Sequence, residues 1–276
     1  MIRCEKWHGA GNDFLVAAER DGTPPEGWSA WARHLCDRRF GIGADGLLVL
    51  EESDGISMGY WNADGSAAEM CGNGGRVLAA FLASRESPPA SRVRFRSAWG
   101  THEAGVVPDG ADRFTVDLTL PDVPRPTPIS VAAPWGPVDA LFVSAGVPHL
   151  VVRRRDTPAA DLAGVPVEAW GGALRRLSLP GGAGANVDFL ESESDGGLRL
   201  RTYERGVEGE TLACGTGAVA AAAAAAHWQL GRSPYRVTPW SGVGLQVSLD
   251  VVSGALASIH LRGPAIRVAR IEAVPS

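Results

Sequence analysis

Two stretches of this chain repeat one another, and that repeat constrains its fold more than any other feature. Tyr60-Trp-Asn-Ala-Asp-Gly-Ser-Ala-Ala-Glu-Met-Cys71-Gly-Asn-Gly can be laid over Tyr203-Glu-Arg-Gly-Val-Glu-Gly-Glu-Thr-Leu-Ala-Cys214-Gly-Thr-Gly without a gap. In both, an aromatic residue stands eleven positions before a cysteine, and the cysteine opens a Cys-Gly-x-Gly followed by small residues. The two cysteines are 143 positions apart in a chain of 276 residues, close to half its length. A second echo, Gly11-Asn12-Asp-Phe-Leu against Asn186-Val-Asp-Phe-Leu, precedes each copy. Two echoes in the same order predict a duplicated domain related by a pseudo-twofold axis.

Local patterning is consistent with two α/β halves. Trp28–Phe40 has helical spacing, with Trp31 and Leu35 on one face, and stops before Gly41. Residues 46–51, 56–61, 93–97 and 114–120 read as strands. Four prolines between Pro121 and Pro128 can continue neither a helix nor a central strand, so the domain crossing is placed there. The second half repeats the alternation, with strands near 139–144, 150–152, 186–191 and 198–203 and helices near 166–176 and 215–230. The predicted domains are 1–120, joined by a C-terminal strand at 264–276, and 121–263.

Composition narrows the chemistry. The chain carries 26 Lys+Arg against 31 Asp+Glu, a net charge of −5, and Lys6 is its single lysine. Mild acidity without a dominant basic block argues against nucleic acid as a partner. The one basic run, Arg153-Arg154-Arg155, reads as a solvated strand end. A Schiff-base mechanism, pyridoxal phosphate chemistry above all, would have to use Lys6. The longest apolar run, Ala218–Ala226, is too short to span a bilayer, and the N-terminus lacks the apolar stretch of a signal peptide. The four cysteines, Cys4, Cys36, Cys71 and Cys214, form no C-x-x-C pair, which argues against structural zinc and for free thiols in a reducing cytoplasm.

The paired Cys-Gly-x-Gly starts have a chemistry of their own. Glycines after each cysteine let the backbone turn sharply and leave N–H groups unobstructed where a helix begins. The positive end of the helix dipole favours both a docked carboxylate and a thiolate at that place. A lone cysteine among alanines is ordinarily an inert buried residue; a matched pair is not explained that way. Two opposed acid/base groups are what inversion at a carbon centre requires, one removing a proton while the other supplies one to the opposite face.

At these residues the chain resembles the diaminopimelate epimerase family, pyridoxal-independent enzymes of lysine and peptidoglycan-precursor synthesis. The resemblance runs from Lys6 to about Arg262. It is carried by Trp7-His-Gly-Ala-Gly-Asn-Asp-Phe14, Arg39-Phe-Gly-Ile-Gly-Ala-Asp-Gly46, Trp61-Asn-Ala-Asp-Gly-Ser66, Met70-Cys-Gly-Asn-Gly74, Gly146-Val-Pro-His149, Asn186, Tyr203-Glu-Arg-Gly206 and Ala213-Cys-Gly-Thr-Gly217. It implies an α/β (α+β) fold of two pseudo-symmetric halves, each a curved, mostly antiparallel sheet wrapped around a central helix, with the site in the cleft between them. It further implies Cys71 and Cys214 as the acid/base pair, assisted by His149 and Glu204. Asn12, Asn62, Gly72, Asn73, Asn186, Glu204, Arg205, Gly215 and Thr216 would bind the substrate's polar ends. The implied catalyst needs no cofactor, neither pyridoxal phosphate nor metal; it takes a small amino-acid substrate, works in the cytoplasm as a homodimer, and has no membrane or nucleic-acid partner.

Two positions depart from the family's common pattern: Gly46 stands where glutamine is frequent, and Val147 where asparagine is frequent. The segment from Glu204 to Cys214 is also one residue longer than in many members. Three other readings stay open on the residues. A related cofactor-independent racemase would act on proline, hydroxyproline or histidine. A thiol redox switch would form a reversible disulfide without turnover, and a ligand-binding protein would bind without catalysis. The asparagine set and Glu204 speak against the switch, and retention of both cysteines against the binding protein.

Overall fold

Alternation in the strands is what sorts the chain into layers. Phe114, Val116, Leu118 and Leu120 are buried while the residues between them are half-buried, so one face of the strand packs and the other is wetted. A computed structural model describes residues 2–24, 26–52, 54–68, 70–180, 182, 184–252 and 255–273. The last three residues of the expected C-terminal strand, 274–276, lie outside the described residues. The chain divides into two units, residues 1–120 with 262–276, and residues 121–261.

In the first unit β1 (Ile2–Gly9), β2 (Asn12–Ala18), β3 (Gly46–Glu51), β4 (Ser57–Asn62), β5 (Arg92–Ser97), β6 (Gly100–Pro108) and β7 (Arg113–Leu120) follow one another in space. The order continues from β7 to β16 (Ala255–Ala273), which also pairs antiparallel with β1, so the sheet closes on itself. Pairings are antiparallel except β2–β3 and β4–β5. Helix α1 (Trp28–Leu35) connects the first parallel pair and packs Trp28, Trp31, Ala32 and Leu35 on Leu15, Leu47 and Val49. Helix α2 (Gly72–Ser84) lies against β1, β2, β3, β5, β6 and β7. It is buried almost all round, as a helix enclosed by sheet must be.

The second unit repeats this plan. Its strands are β8 (Thr127–Ala133), β9 (Gly136–Ala145), β10 (Val147–Arg153), β11 (Asn186–Ser192), β12 (Leu198–Glu204), β13 (Gly209–Thr211), β14 (Tyr235–Pro239) and β15 (Leu245–Val252). The order runs β8-β9-β10-β11-β12-β14-β15-β16, with β13 beside β12. A two-way bridge between Val123 and Leu256 ties the segment before β8 to β16. Here β10–β11 and β12–β14 are the parallel pairs. Helix α3 (Val167–Leu174) connects the first of them, and α4 (Gly215–His227) lies against β9 through β12, β14 and β15. Ala218 and Ala220–Ala225 are fully buried, so the small side chains let the strands close around the helix. The fold is thus the expected α/β arrangement of two pseudo-symmetric halves, each a mostly antiparallel sheet around one helix.

Several local expectations need correction. The helix expected over 28–40 stops at Leu35, because Asp37 Oδ1 accepts the N–H groups of Arg39 and Phe40 in a turn that competes with the helix ladder. The helix expected to 230 stops at His227, where Gln229 turns left-handed and Leu230 N–H reaches Ala225 O. Pro128 lies inside a strand after all, on the last strand of the order, where a missing donor is tolerated. The basic run does lie at the end of β10 with Arg155 exposed, but Arg153 and Arg154 are half-buried: they pair with Asp156 and Glu191, and Arg153 lies 4.7 Å over the Trp228 ring. The second echo also does not mark duplicated positions. Counting back from each central helix, Asn12 opens β2, whose counterpart is β10, whereas Asn186 opens β11, the counterpart of β3. The first echo does hold, since Tyr60 and Tyr203 lie on the counterpart strands β4 and β12.

Candidate active site

Each cysteine is the N-cap of its unit's central helix. Cys71 has extended backbone (φ −136°, ψ 119°), and its Sγ accepts the Gly74 N–H at 3.4 Å. Cys214 repeats this (φ −115°, ψ 116°), with Sγ accepting Gly217 N–H at 3.3 Å. A cap usually presents a serine or aspartate oxygen. A sulfur there receives an N–H bond and the positive helix end, both of which favour thiolate. Gly72, Asn73, Gly215 and Thr216 form the buried first turns.

Around Cys71 the first unit gathers Asn12 and Asn73. Asn12 Oδ1 accepts from Cys71 Sγ at 3.6 Å and from Asn73 Nδ2 at 3.3 Å. Asn12 Nδ2 donates to Asp45 Oδ2 at 2.6 Å, and Arg38 bridges Asp45 and Asp13. That network fixes which end of the Asn12 amide faces the sulfur. Lys6 pairs with Asp13 at 3.0 Å and bonds to Gly43 O, so it serves this framework. Asn62 is spent locally: its Nδ2 donates to Ser66 Oγ at 3.0 Å in the turn ending β4. It stands opposite Gly46. A Cβ at Gly46 would come within 2.7 Å of both the Tyr60 ring and Trp61 O, so in this chain Tyr60 excludes a side chain there.

The second unit builds a different set around Cys214. The parallel register of β10 and β11 places His149 beside Asn186. His149 Nδ1 is 2.6 Å from Asp188 Oδ2, both side chains being fully buried, and Thr202 Oγ1 donates to Asp188 Oδ1 at 2.7 Å. His149 Nε2 lies 3.0 Å from Thr216 Oγ1 and 3.5 Å from Asn186 Nδ2. Thr216 Oγ1 is in turn 3.4 Å from Cys214 Sγ. Asn186 Oδ1 accepts the main-chain N–H of Arg205 at 2.8 Å. A Cβ on Gly217 would meet Asp188 Oδ1 at 2.8 Å, so only glycine lets the helix start approach this carboxylate.

Glu204 completes the group. Burial pushes its carboxyl up to about 7, opposed by hydrogen bonds from Thr211 and Cys214 and by the nearby His149. Its folded proton affinity exceeds the unfolded one, so this group's contribution to stability is complete below about pH 4.5 and is lost as pH rises to about 7. Glu204→Gln mimics the neutral form. Its melting temperature should therefore gain on the wild type between pH 5 and pH 8; parallel curves would show that Glu204 titrates normally.

Thus the structure joins Asn12, Gly72, Asn73 and Cys71 in one unit, and His149, Asn186, Glu204, Arg205, Cys214, Gly215 and Thr216 in the other. Sequence reasoning missed Asp45, Asp188, Thr202 and Thr211. Asp188 carried a signal, lying two residues from Asn186 on one strand face; Thr211 and Asp45 carried none that periodicity reveals. Among the described residues no group of three His, Cys, Asp or Glu side chains could hold a metal ion. No helix among them is long and apolar enough to cross a membrane.

The diaminopimelate epimerase family profile matches residues 4–122 and 141–254. The diaminopimelate epimerase of Flavobacterium psychrophilum is 36% identical over 266 residues, covering 96% of this chain and 97% of the relative. That of Gemmatimonas aurantiaca is 40% identical over 233 residues, covering 82% and 79%. Among solved structures, a probable proline racemase from Agrobacterium radiobacter superimposes with a TM-score of 0.75 at 18% identity, covering 100% of this chain and 94% of that one. A hydroxyproline epimerase from Agrobacterium vitis gives 0.70 at 19%, covering 98% and 91%; at such identity the likeness is one of fold. With two cysteine-capped central helices, a family profile over most of the chain and relatives more than a third identical over at least four-fifths of it, the chain belongs to the diaminopimelate epimerase family.

Proposed function

We propose that this protein interconverts LL- and meso-2,6-diaminopimelate by moving one α-proton between two thiols. Inversion needs a base on one face of the α-carbon and an acid on the other, and Cys71 and Cys214 supply them, exchanging roles when product becomes substrate. The observation that supports this most is the identical placement of both sulfurs as N-caps of counterpart helices. The α-carboxylate takes first-turn N–H groups of Gly72, Asn73, Gly215 and Thr216, where helix ends favour an anion. Asn12 orients Cys71; His149, through Thr216, and Glu204 orient Cys214. Asn186 and Arg205 hold the substrate's remaining polar ends, and Asn62 would have to turn from Ser66 to join them. The scheme uses no pyridoxal phosphate and no metal, and we place the enzyme in the cytoplasm, as a homodimer, without nucleic-acid or membrane partners.

Incubating the reduced protein with LL-diaminopimelate in deuterated water, without added cofactor, tests this. Deuterium at one α-carbon together with meso product is expected. Exchange with proline, hydroxyproline or histidine instead would move the assignment to a related racemase, and no exchange with any of them would leave a thiol switch.

A further inference from the structure

The first turns of the two central helices differ in one charged residue. Arg76 lies one turn into α2, and the matching position of α4 is Val219. Arg76 is fully buried. Its guanidinium donates to Gly72 O at 3.3 Å and Asn73 Oδ1 at 2.7 Å, and its Nε finds no partner. It packs against β1 at Gly9, where any side chain would press on Nη2. Among the described residues no carboxylate pairs with it. A buried guanidinium is ordinarily paired with an anion.

Among the described residues the surroundings leave one group for that role. Side chains alternate along the strands around α2, turning Asp13, Glu51, Glu103, Asp117 and the arginines of β5 away from the helix. Arg3, exposed at the end of β1, pairs with Glu272, and Glu5 pairs with Arg267 and Arg270, beside Phe81 and Arg85 at the far end of α2. Inward-facing His102 bonds to Ser97 and to Thr119 O, and burial lowers its proton affinity. Among the described residues the Cys71 sulfur, once deprotonated, is the group that favours the Arg76 charge, while burial works against that charge. Cys214 has the opposite company, with the carboxyls of Glu204 and Asp188 nearby and an alkyl group at Val219.

We propose that Arg76 is a positioning residue for the reaction, the buried counter-charge that stabilises the Cys71 thiolate once its S–H, held by Asn12 Oδ1, has been given up. It touches no reacting atom; it acts through the helix start, holding Asn73 and biasing the charge on the sulfur. The proposal rests on the two-thiol reading, but its test needs no turnover.

Alkylation by iodoacetamide, followed at each cysteine by mass spectrometry as a function of pH, reads the thiolate directly. Burial pushes the Cys4 and Cys36 thiols up to about 12, so neither competes near neutrality. In Arg76→Met the Cys71 midpoint should rise by about one unit or more, slowing its alkylation about tenfold at pH 7. The Cys214 profile should stay in place, and Arg76→Lys should hold the Cys71 profile within about twofold, because an opposite charge is retained. If the methionine variant does not fold, Arg76→Gln, which keeps a donor for Gly72 O or Asn73 Oδ1, is read the same way. An unmoved Cys71 midpoint in a folded neutral variant overturns the proposal, as does an equal shift in the lysine variant. Those outcomes leave the two-thiol reading standing; a wild-type Cys71 alkylating only at the pH of an ordinary thiol would sink both.

Discussion

Cys71→Ala and Cys214→Ala should each lower kcat/KM for epimerisation by about 10²–10⁴-fold, the usual worth of a positioned acid or base. The double variant should be scarcely worse than either single one. Two groups that act on one proton-transfer sequence are not additive, because losing either already breaks the inversion. The cap role complicates the alanine variants, since both sulfurs accept an N–H at the helix start and removing a cap costs about 0.5–2 kcal/mol. Serine separates the two effects. Serine is a preferred N-cap, so Cys71→Ser and Cys214→Ser should melt near the wild type while still losing most turnover. Deuterium incorporation and meso formation measure the chemistry, and thermal denaturation the fold. Near-normal turnover in any single variant would remove that sulfur from the mechanism.

The parts legible in the sequence are those with a local cause. The duplicated Cys-Gly-x-Gly predicts two enclosed helices with a cysteine at each start because cysteine, glycines and small-residue run are neighbours in sequence. The strands around Leu47–Leu50 and Phe114–Leu120 were legible for the same reason, since alternation and apolar runs are read within six or eight residues. What could not be read depends on register across distant segments. His149 and Asn186 become neighbours only through the β10–β11 pairing, and Thr211 reaches Glu204 only because β13 folds back on β12. The misleading Asn12 and Asn186 echo shows the same limit, because similar strand-opening residues recur wherever a turn enters a sheet. Gly46 was flagged as a departure, yet its cause, the Tyr60 ring, lies on the neighbouring strand. Arg76 breaks an otherwise apolar helical run, and its meaning emerges only in the fold, where it is buried and no carboxylate among the described residues pairs with it.

The second large effect is expected at Asp188, a residue that touches neither thiol. A carboxylate can only accept, so the proton between it and His149 sits on Nδ1. In a neutral imidazole Nε2 is then an acceptor, taking the Thr216 hydroxyl proton, so that hydroxyl has none to give the Cys214 sulfur 3.4 Å away and the S–H is left to donate, to Thr216 Oγ1 or to the Glu204 carboxyl. Both His149 bonds point toward Asp188, and Thr202 holds its other oxygen. Asp188→Asn can donate as well as accept, which allows the imidazole to take the opposite tautomer. The chain then reverses: Nε2–H donates to Thr216, and the hydroxyl donates to the sulfur, so Cys214 loses the orientation it needs to deliver a proton. An amide in place of the carboxylate that orients a catalytic histidine costs up to about 10⁴ in kcat where this has been measured in another enzyme; here, with one thiol affected and a hydroxyl intervening, about 10²-fold or more is expected in kcat with KM little changed. Asp188→Ala should instead act on the fold, losing on the order of 1–3 kcal/mol because the buried His149 N–H and Thr202 hydroxyl are left unpaired. The asparagine variant melting near the wild type but turning over within about threefold of it would show that Asp188 supports structure alone.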